Sequence, residues 1–313
     1  MKIRRKRFMK KRLLTGAVCL SLAGMTMLTA CSGKESAKKG NVELEILLAD
    51  DTLEGGAMKA VVEKFNEEHK DQGVTAFVNE IAYADMETQI KNRAKAGNLP
   101  AICKMSNFDT YIDYVLPLDD TSLDPDNFNR SGVRNGKLYG TDVNDTAVGM
   151  VINKTAFDAA GVSYPTTSEE RWTWDEFSAA VKEVAEKNEK ITTPFVIDHS
   201  QQRSGTVLYQ FGMKYFDPDD STKVTFRSED TKKGVEFFLD MFKEGGISKA
   251  SIGTGAENAQ DVFKTGTVAA HMAGNWVISD YTQNIKDFEW TPVLMPYEKE
   301  KATCLGGNWL YAF

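Results

Sequence analysis

VELEILL, residues 42–48, alternates polar and apolar positions and then turns continuously apolar, as a strand does on entering a buried sheet. Asp50 and Asp51 stand just past it. Met58, Val61, Val62 and Phe65 follow at i, i+3, i+4 and i+7, which predicts a helix with one buried face. Residues 74–78 read as a second strand, 86–96 as a helix that stops near Gly97, and 100–105 as a third strand. Strand, helix, strand, helix, strand is joined most simply as a parallel sheet with helical crossovers, which sets the class as α/β. Asn107 and Asp109 follow the third strand as Asp50 and Asp51 follow the first. Polar groups from two strand ends therefore meet one rim, the edge at which open α/β sheets hold ligands.

Upstream of this stretch, residues 1–30 have the composition of an export signal. Eight basic residues, from Lys2 to Arg12, precede an apolar run over 13–28 that is short for a membrane span. The run ends in Leu28-Thr29-Ala30-Cys31, which resembles the bacterial lipobox and implies a lipid on the thiol of Cys31. Residues 31–41 are polar and small, the make-up of a flexible tether. Setting aside the eight basic residues leaves 30 Lys and Arg against 45 Asp and Glu, a net charge of −15. That balance disfavours nucleic acid and anionic membrane surfaces as partners. Cys103 and Cys304 are enough for one disulfide, and with His69, His199 and His271 scattered, neither a metal nor another cofactor is expected.

Further along, residues 147–152 read as a short strand, and 155–160 as a helix ended by Gly161. Thr173 and Glu176 make a capping box ahead of the apolar positions Phe177, Ala180, Val181 and Val184. A strand over 194–197 leads into a polar loop, 198–203, with Tyr209, Phe211, Tyr215 and Phe216 beyond it. Val235, Phe238, Leu239 and Phe242 repeat the helical spacing between Ser228 and Gly245-Gly246. In DVFKTGTVAAHMAGNW, residues 261–276, a helix ends near Gly266, a short strand runs over 268–272 and Gly274 turns the chain. Asn275 and Trp276 then sit at the carboxyl end of that strand. An aromatic plate beside an amide suits a sugar ring, although this stretch alone equally fits a half-buried core tryptophan. After a strand over 290–294, the chain stops inside a last apolar segment, 304–313, without a cap or polar tail, the pattern of a truncated chain.

The set LTAC, LPLDD (116–120), GKLYG (136–140), GMVINKTAFDAAGV (149–162), TWDEF (173–177), VFKTGTVAAHMAGNW (262–276) and GGNWLYAF (306–313) resembles, in that order, the extracellular solute-binding lipoproteins of family 1. These are the maltose-binding-protein-like carriers of sugar-importing ABC transporters. The resemblance implies a two-lobe, periplasmic-binding-protein-like fold of type II. Each lobe would be a mainly parallel sheet flanked by helices, with the ligand cleft between lobes. Residues 42–147 and 294–313 would form an incomplete N-terminal lobe and 148–293 the C-terminal lobe, the family continuing past the GGNWL-like motif. By the same resemblance the sugar contacts fall on Asp50 and Asp51, Asn107 and Asp109, Asn144 and Asp145, His199 and Gln202, and Trp276 and Trp309.

The function implied is non-enzymatic: a monomeric carrier, lipid-anchored on the outer face of the cell membrane, that hands a carbohydrate, expected to be an oligosaccharide, to permease subunits. Two alternatives stand beside it. A peptide or polyamine carrier would share the fold, and a secreted glycoside hydrolase could draw an acid and base pair from Asp50, Asp51, Asp109 and Asp145.

Overall fold

The computed structural model describes residues 41–52, 55–250 and 255–313. The stretch read as an export signal, Cys31 and nearly all of the expected tether lie outside the described residues. The opening stretch folds in the expected order as β1 (Val42–Ala49), α1 (Ala57–His69), β2 (Val74–Ile81), α2 (Tyr83–Ala96) and β3 (Ile102–Met105), with β1 parallel to both β2 and β3. Gly97 ends α2 in the left-handed conformation at φ 68°. On α1 the buried stripe runs through Met58, Val62 and Phe65, against Ile46, Leu48 and Ala76. Val61 is 61% exposed, contrary to the expectation from spacing. One residue along a helix is about 100° of rotation, so a narrow contact with the sheet that includes Val62 leaves Val61 facing water.

Beyond β3 come β4 (Ser131–Arg134) and β5 (Lys137–Asn153), joined by a tight turn at Asn135-Gly136 with φ 51° and 76°. Asn-Gly is the strongest short-range hairpin signal, and the sequence reading passed over it. β5 is 17 residues long, so the short strand expected over 147–152 is only its second half. The other strands are β6 (Thr193–Ile197), β7 (Val268–Gly274), β8 (Trp290–Val293) and β9 (Leu305–Ala312). They form one nine-stranded sheet in the order β2-β1-β3-β9-β5-β7-β6, with β4 and β8 also paired to β5. Pairing is parallel at the two ends, β1 with β2 and β3, and β6 with β7. It is antiparallel throughout the middle, where β5 meets β4, β7, β8 and β9, and where β9 meets β3. The expectation of mainly parallel sheets is therefore corrected to a mixed sheet. The segments that return to β5 do so as direct antiparallel neighbours, which need no crossover helix.

The helices of the second half are α3 (Lys154–Ala160), α4 (Trp174–Lys187), α5 (Gln201–Gln210), α6 (Glu229–Lys243), α7 (Ala259–Lys264) and α8 (Val277–Asn284). The capping box forms as read: Glu176 N–H donates to Thr173 Oγ1 at 3.2 Å and Thr173 N–H to Glu176 Oε2 at 2.7 Å. The loop expected over 198–203 is instead half helix, because Ser200 caps α5 by accepting from Gln202 N–H. On α6, Gly234 and Met241 are buried and Phe238 and Phe242 pack on the core, while Val235 and Leu239 are 40% and 49% exposed, so the apolar spacing marks only part of the buried face. Cys103 and Cys304 are both free thiols, and burial pushes Cys103 up to about 11. Among the described residues no helix is long and apolar enough to cross a membrane, and no group of His, Cys, Asp and Glu could hold a metal.

His271 lies in the middle of fully buried β7, with Nδ1 2.6 Å from Tyr281 Oη and its ring against Phe263. Burial, and then the positive charge of Arg203, push its pKa down to about 3. The unfolded chain takes up this proton near pH 6.5 and the folded chain does not, so stability is undiminished above that pH and falls as pH drops through the window from 6.5 to about 3. At 1.4 kcal/mol per pH unit the loss reaches about 3 kcal/mol by pH 4.5. Unfolding midpoints at pH 7.5 and 4.5 check this: His271→Gln should lose less on acidification than the wild type, and equal losses would refute the assignment.

Candidate functional site

At Ala147, β5 changes partner. Residues Thr141 to Ala147 pair with β9, and Val148 to Ile152 pair with β7. The two Gly-Asn-Trp segments meet β5 at this point, one from the end of β7 and one from within β9. Asn275 accepts from Ala147 N–H at 3.1 Å through Oδ1, and donates through Nδ2 to Asp145 O at 3.0 Å. Its own N–H reaches Ala147 O at 3.2 Å. Asn308 donates from both its backbone N–H (3.0 Å) and Nδ2 (3.2 Å) to Asn144 Oδ1. The polar run 144–147 is thus pinned from both sides by the same residue type. Both glycines are required by space: a Cβ on Gly274 would lie 1.9 Å from the Trp276 ring, and one on Gly307 2.0 Å from Arg130 Nη2 and 2.3 Å from Asn144 O.

Each indole carries a guanidinium over its face. Arg203 Cζ is 4.4 Å from the Trp276 ring centre, and Arg130 Cζ is 5.2 Å from that of Trp309. Trp276 is half-buried, packed against both the Met150–Met272 cluster and the Val151–Val277 cluster. Trp309 pairs in register with Asp142 on one side and Met105 on the other, and meets the edge of Phe108 at 5.3 Å.

Most carboxylates of this region are already matched. Asp145 meets Arg130 at 2.9 Å, and Asp198 meets Arg203 at 2.7 Å. Asp109 takes both ends of the Arg134 guanidinium at 2.6 and 2.8 Å, which holds its carboxyl below the usual range. A glycosidase acid needs the opposite shift, so Asp109 is unsuited to that role.

Of the residues read from sequence, Asn144, Asp145, Gln202, Trp276 and Trp309 come together around the partner change in β5. Gln202 is exposed in the first turn of α5, with its Nε2 3.1 Å from where a Cβ on Gly306 would stand. Asn107 and Asp109 lie beyond β3: Asn107 Oδ1 accepts from Asp109 N–H at 3.0 Å and its Nδ2 donates to Thr110 at 2.9 Å. Asn107 also lines a hollow of about 240 Å³ with Tyr83 and Ser106. His199 is exposed in the bend before α5. Asp50 is half-buried at φ 61°, a backbone region that non-glycine residues occupy at a cost.

Asp51 is brought to no rim. It is buried, and its two oxygens accept from Met58 and Lys59 N–H at 2.8 and 3.1 Å, so it anchors the start of α1. A strand-end aspartate followed by a helix serves either purpose, and only where the fold places the start of α1 decides which.

Tyr83 and Arg130 escaped the sequence reading, and Arg203 entered it only as part of the polar loop 198–203. Tyr83 is exposed at the start of α2, with its hydroxyl donating to Ser106 Oγ at 3.0 Å. An aromatic just past the end of β2 was a usable signal. Arg130 carried none, and nothing set Arg203 apart within its polar loop, since each is defined by an indole far away in the chain.

Taken together, the region offers indole and phenol faces, amides, and carboxylates whose charge is compensated. Such a surface can exchange hydrogen bonds with hydroxyls and pack against C–H faces while presenting little net charge.

The sequence profile of the bacterial extracellular solute-binding proteins matches residues 60–313. An arabinooligosaccharide-binding protein of Halalkalibacterium halodurans is 22% identical over 250 residues, which is 75% of this chain and 54% of that protein. The chain therefore spans about half the length of this curated relative. Among solved structures, an ABC substrate-binding protein of Listeria monocytogenes in complex with cycloalternan superposes with a TM-score of 0.73 at 22% identity, over 87% of this chain and 71% of that one. The GacH receptor of Streptomyces glaucescens, known unliganded and with acarbose, gives 0.70 at 20% identity over the same shares of the two chains. At these identities the structural likeness establishes the mixed α/β fold. The profile match covers most of the chain, and its family is one of binding proteins, not enzymes: the chain belongs to the bacterial extracellular solute-binding protein family.

Proposed function

We propose that this chain is the substrate-binding component of an ABC importer and that its ligand is an uncharged oligosaccharide. Residues 42–147 with 294–313 form one lobe and 148–293 the other. The ligand lies between them, beside the 144–147 stretch of β5, and closure is a hinge motion whose equilibrium the ligand shifts. The lipid on Cys31 holds the carrier, as a monomer, at the outer face of the cell membrane, where permease subunits receive the sugar. The contacts are Asp50, Asn107, Asp109, Asn144, Asp145, His199, Gln202, Trp276 and Trp309, with Asp51 acting through the position of α1.

The observation that carries this reading is the meeting of two Gly-Asn-Trp segments on residues 144–147 of β5, which gathers aromatic faces and amides at one point. The relatives support it, since their names specify arabinooligosaccharide, cycloalternan and acarbose. The arginine partners of Asp109, Asp145 and Asp198 argue against a polyamine, which would need carboxylates with uncompensated charge.

Calorimetry and thermal shift with arabino-oligosaccharides, malto-oligosaccharides and raffinose test the reading, with spermidine and tripeptides as the competing classes. A response to spermidine or peptide and to no sugar would sink it. Trp276→Ala should weaken sugar binding about 30-fold or more, while lowering the unfolding midpoint only modestly. Unchanged affinity would return Trp276 to a purely packing role.

A further inference from the structure

Arg203 is the most deeply buried cation of the site region, with 7% of its side chain exposed and burial lowering its pKa against the raising effect of Asp198. One guanidinium touches three groups of the region: its Cζ lies over the Trp276 ring at 4.4 Å, Nη2 donates to Asp198 at 2.7 Å, and Nη1 donates to Gln202 Oε1 at 3.2 Å. Its Nε is buried without a hydrogen-bond partner. A buried charge with an unmade donor costs free energy that an apolar residue of similar length would avoid, and replacing buried ion pairs by well-packed apolar side chains is often neutral or stabilising. Packing alone therefore does not account for an arginine here. What a guanidinium supplies, and neither lysine nor methionine can, is a flat surface for an indole together with fixed, diverging donors.

We propose that Arg203 is a positioning residue for the ligand: it fixes the plane of Trp276 and the amide of Gln202 relative to one another, as one preassembled wall of the site. The inference rests on the functional reading above. Arg203 takes one face of the indole, so the exposed remainder of the half-buried ring presents a fixed plane. Donation from Nη1 occupies Gln202 Oε1, which leaves the Gln202 Nε2 hydrogens free to donate. The arrangement thus selects a hydroxyl acceptor beside the ring, and Asp198 compensates the charge so that the wall offers no free cation to the ligand.

The test uses Arg203→Met and Arg203→Lys in the whole protein, with two readouts. The first needs no ligand: time-resolved tryptophan anisotropy, with the Trp276 component taken as the difference between each protein and its Trp276→Phe counterpart. Arg203→Met should lower the unfolding midpoint only modestly, because the Asp198 carboxylate left without its partner is 36% exposed and regains water, while the Trp276 component gains fast motion. The second is calorimetry with arabinotriose, whose affinity should fall about 10-fold in Arg203→Met, with Arg203→Lys between it and the wild type. An unchanged Trp276 component in Arg203→Met overturns the proposal. So does an affinity loss in Arg203→Met that only parallels a fall in stability. If the wild type binds no sugar of the panel, the functional reading falls, while the anisotropy comparison still decides whether Arg203 positions the indole.

Discussion

Gly274→Ala is expected to abolish sugar binding and to destabilise the protein by about 2–3 kcal/mol, toward the upper end of overpacking substitutions. The added Cβ would stand 1.9 and 2.3 Å from two carbons of the Trp276 six-membered ring and 2.4 Å from Ala147 O. Turning the indole aside would relieve only part of this, because the Ala147 carbonyl is backbone and already accepts from Asn275 N–H. The substitution therefore strains the pinned stretch of β5 and displaces the aromatic plate together. Gly149→Ala is the control on the neighbouring strand, since its Cβ would meet only the Gly274 Cα at 3.9 Å. Urea unfolding and calorimetry on both variants check the contrast; Gly274→Ala with wild-type affinity would show that the indole has room this geometry denies it.

Trp174→Ala should cost about 4–5 kcal/mol, a large fraction of the stability of an ordinary domain. Trp174 is 1% exposed in the first turn of α4, edge-on to Phe177 at 5.6 Å and to Phe237 of α6 at 5.8 Å. Its Nε1 donates to Gln210 Oε1 at 2.6 Å, and Gln210 Nε2 donates to Ala302 O at 2.7 Å. Removing the indole leaves a cavity and strips a partner from a fully buried amide, and the two penalties add. Trp174→Phe separates them, because it keeps most of the volume and loses the hydrogen bond, for about 2 kcal/mol. Equilibrium denaturation measures both, and equal losses would mean that the hydrogen bond carries the whole effect. Because Gln210 ends the helix whose first turn bears Gln202 and Arg203, the alanine variant should also weaken binding.

Local signals survived folding well where the interaction they report is itself local. The capping box at Thr173, the left-handed glycines at Gly97, Gly161 and Gly266, and the burial of the continuous apolar run of β1 all stand as read, although the alternation that opens β1 does not show in its burial. Apolar spacing was less reliable. Val61, Val235 and Leu239 keep the right period and face water, since the period shows that a helix has an apolar side but not how wide a strip of sheet will cover it. Among candidate contacts, Asp51 misled for a related reason: a strand-end carboxylate is equally suited to hold a helix start or a ligand.

By itself, then, the sequence determined the α/β class, the order of elements around β1 and β7, and the two Gly-Asn-Trp segments as places to look. These follow from residue type, period and neighbouring order, which act over a few residues. Tertiary structure alone decided that the sheet is mixed, that both asparagines pin the same stretch of β5, and that Arg130 and Arg203 lie over the two indoles. Each of those facts joins residues far apart in the chain, from Arg203 and Trp276 to Asn144 and Asn308. Such pairings are set by how strands cross and return in space, and no local pattern encodes them.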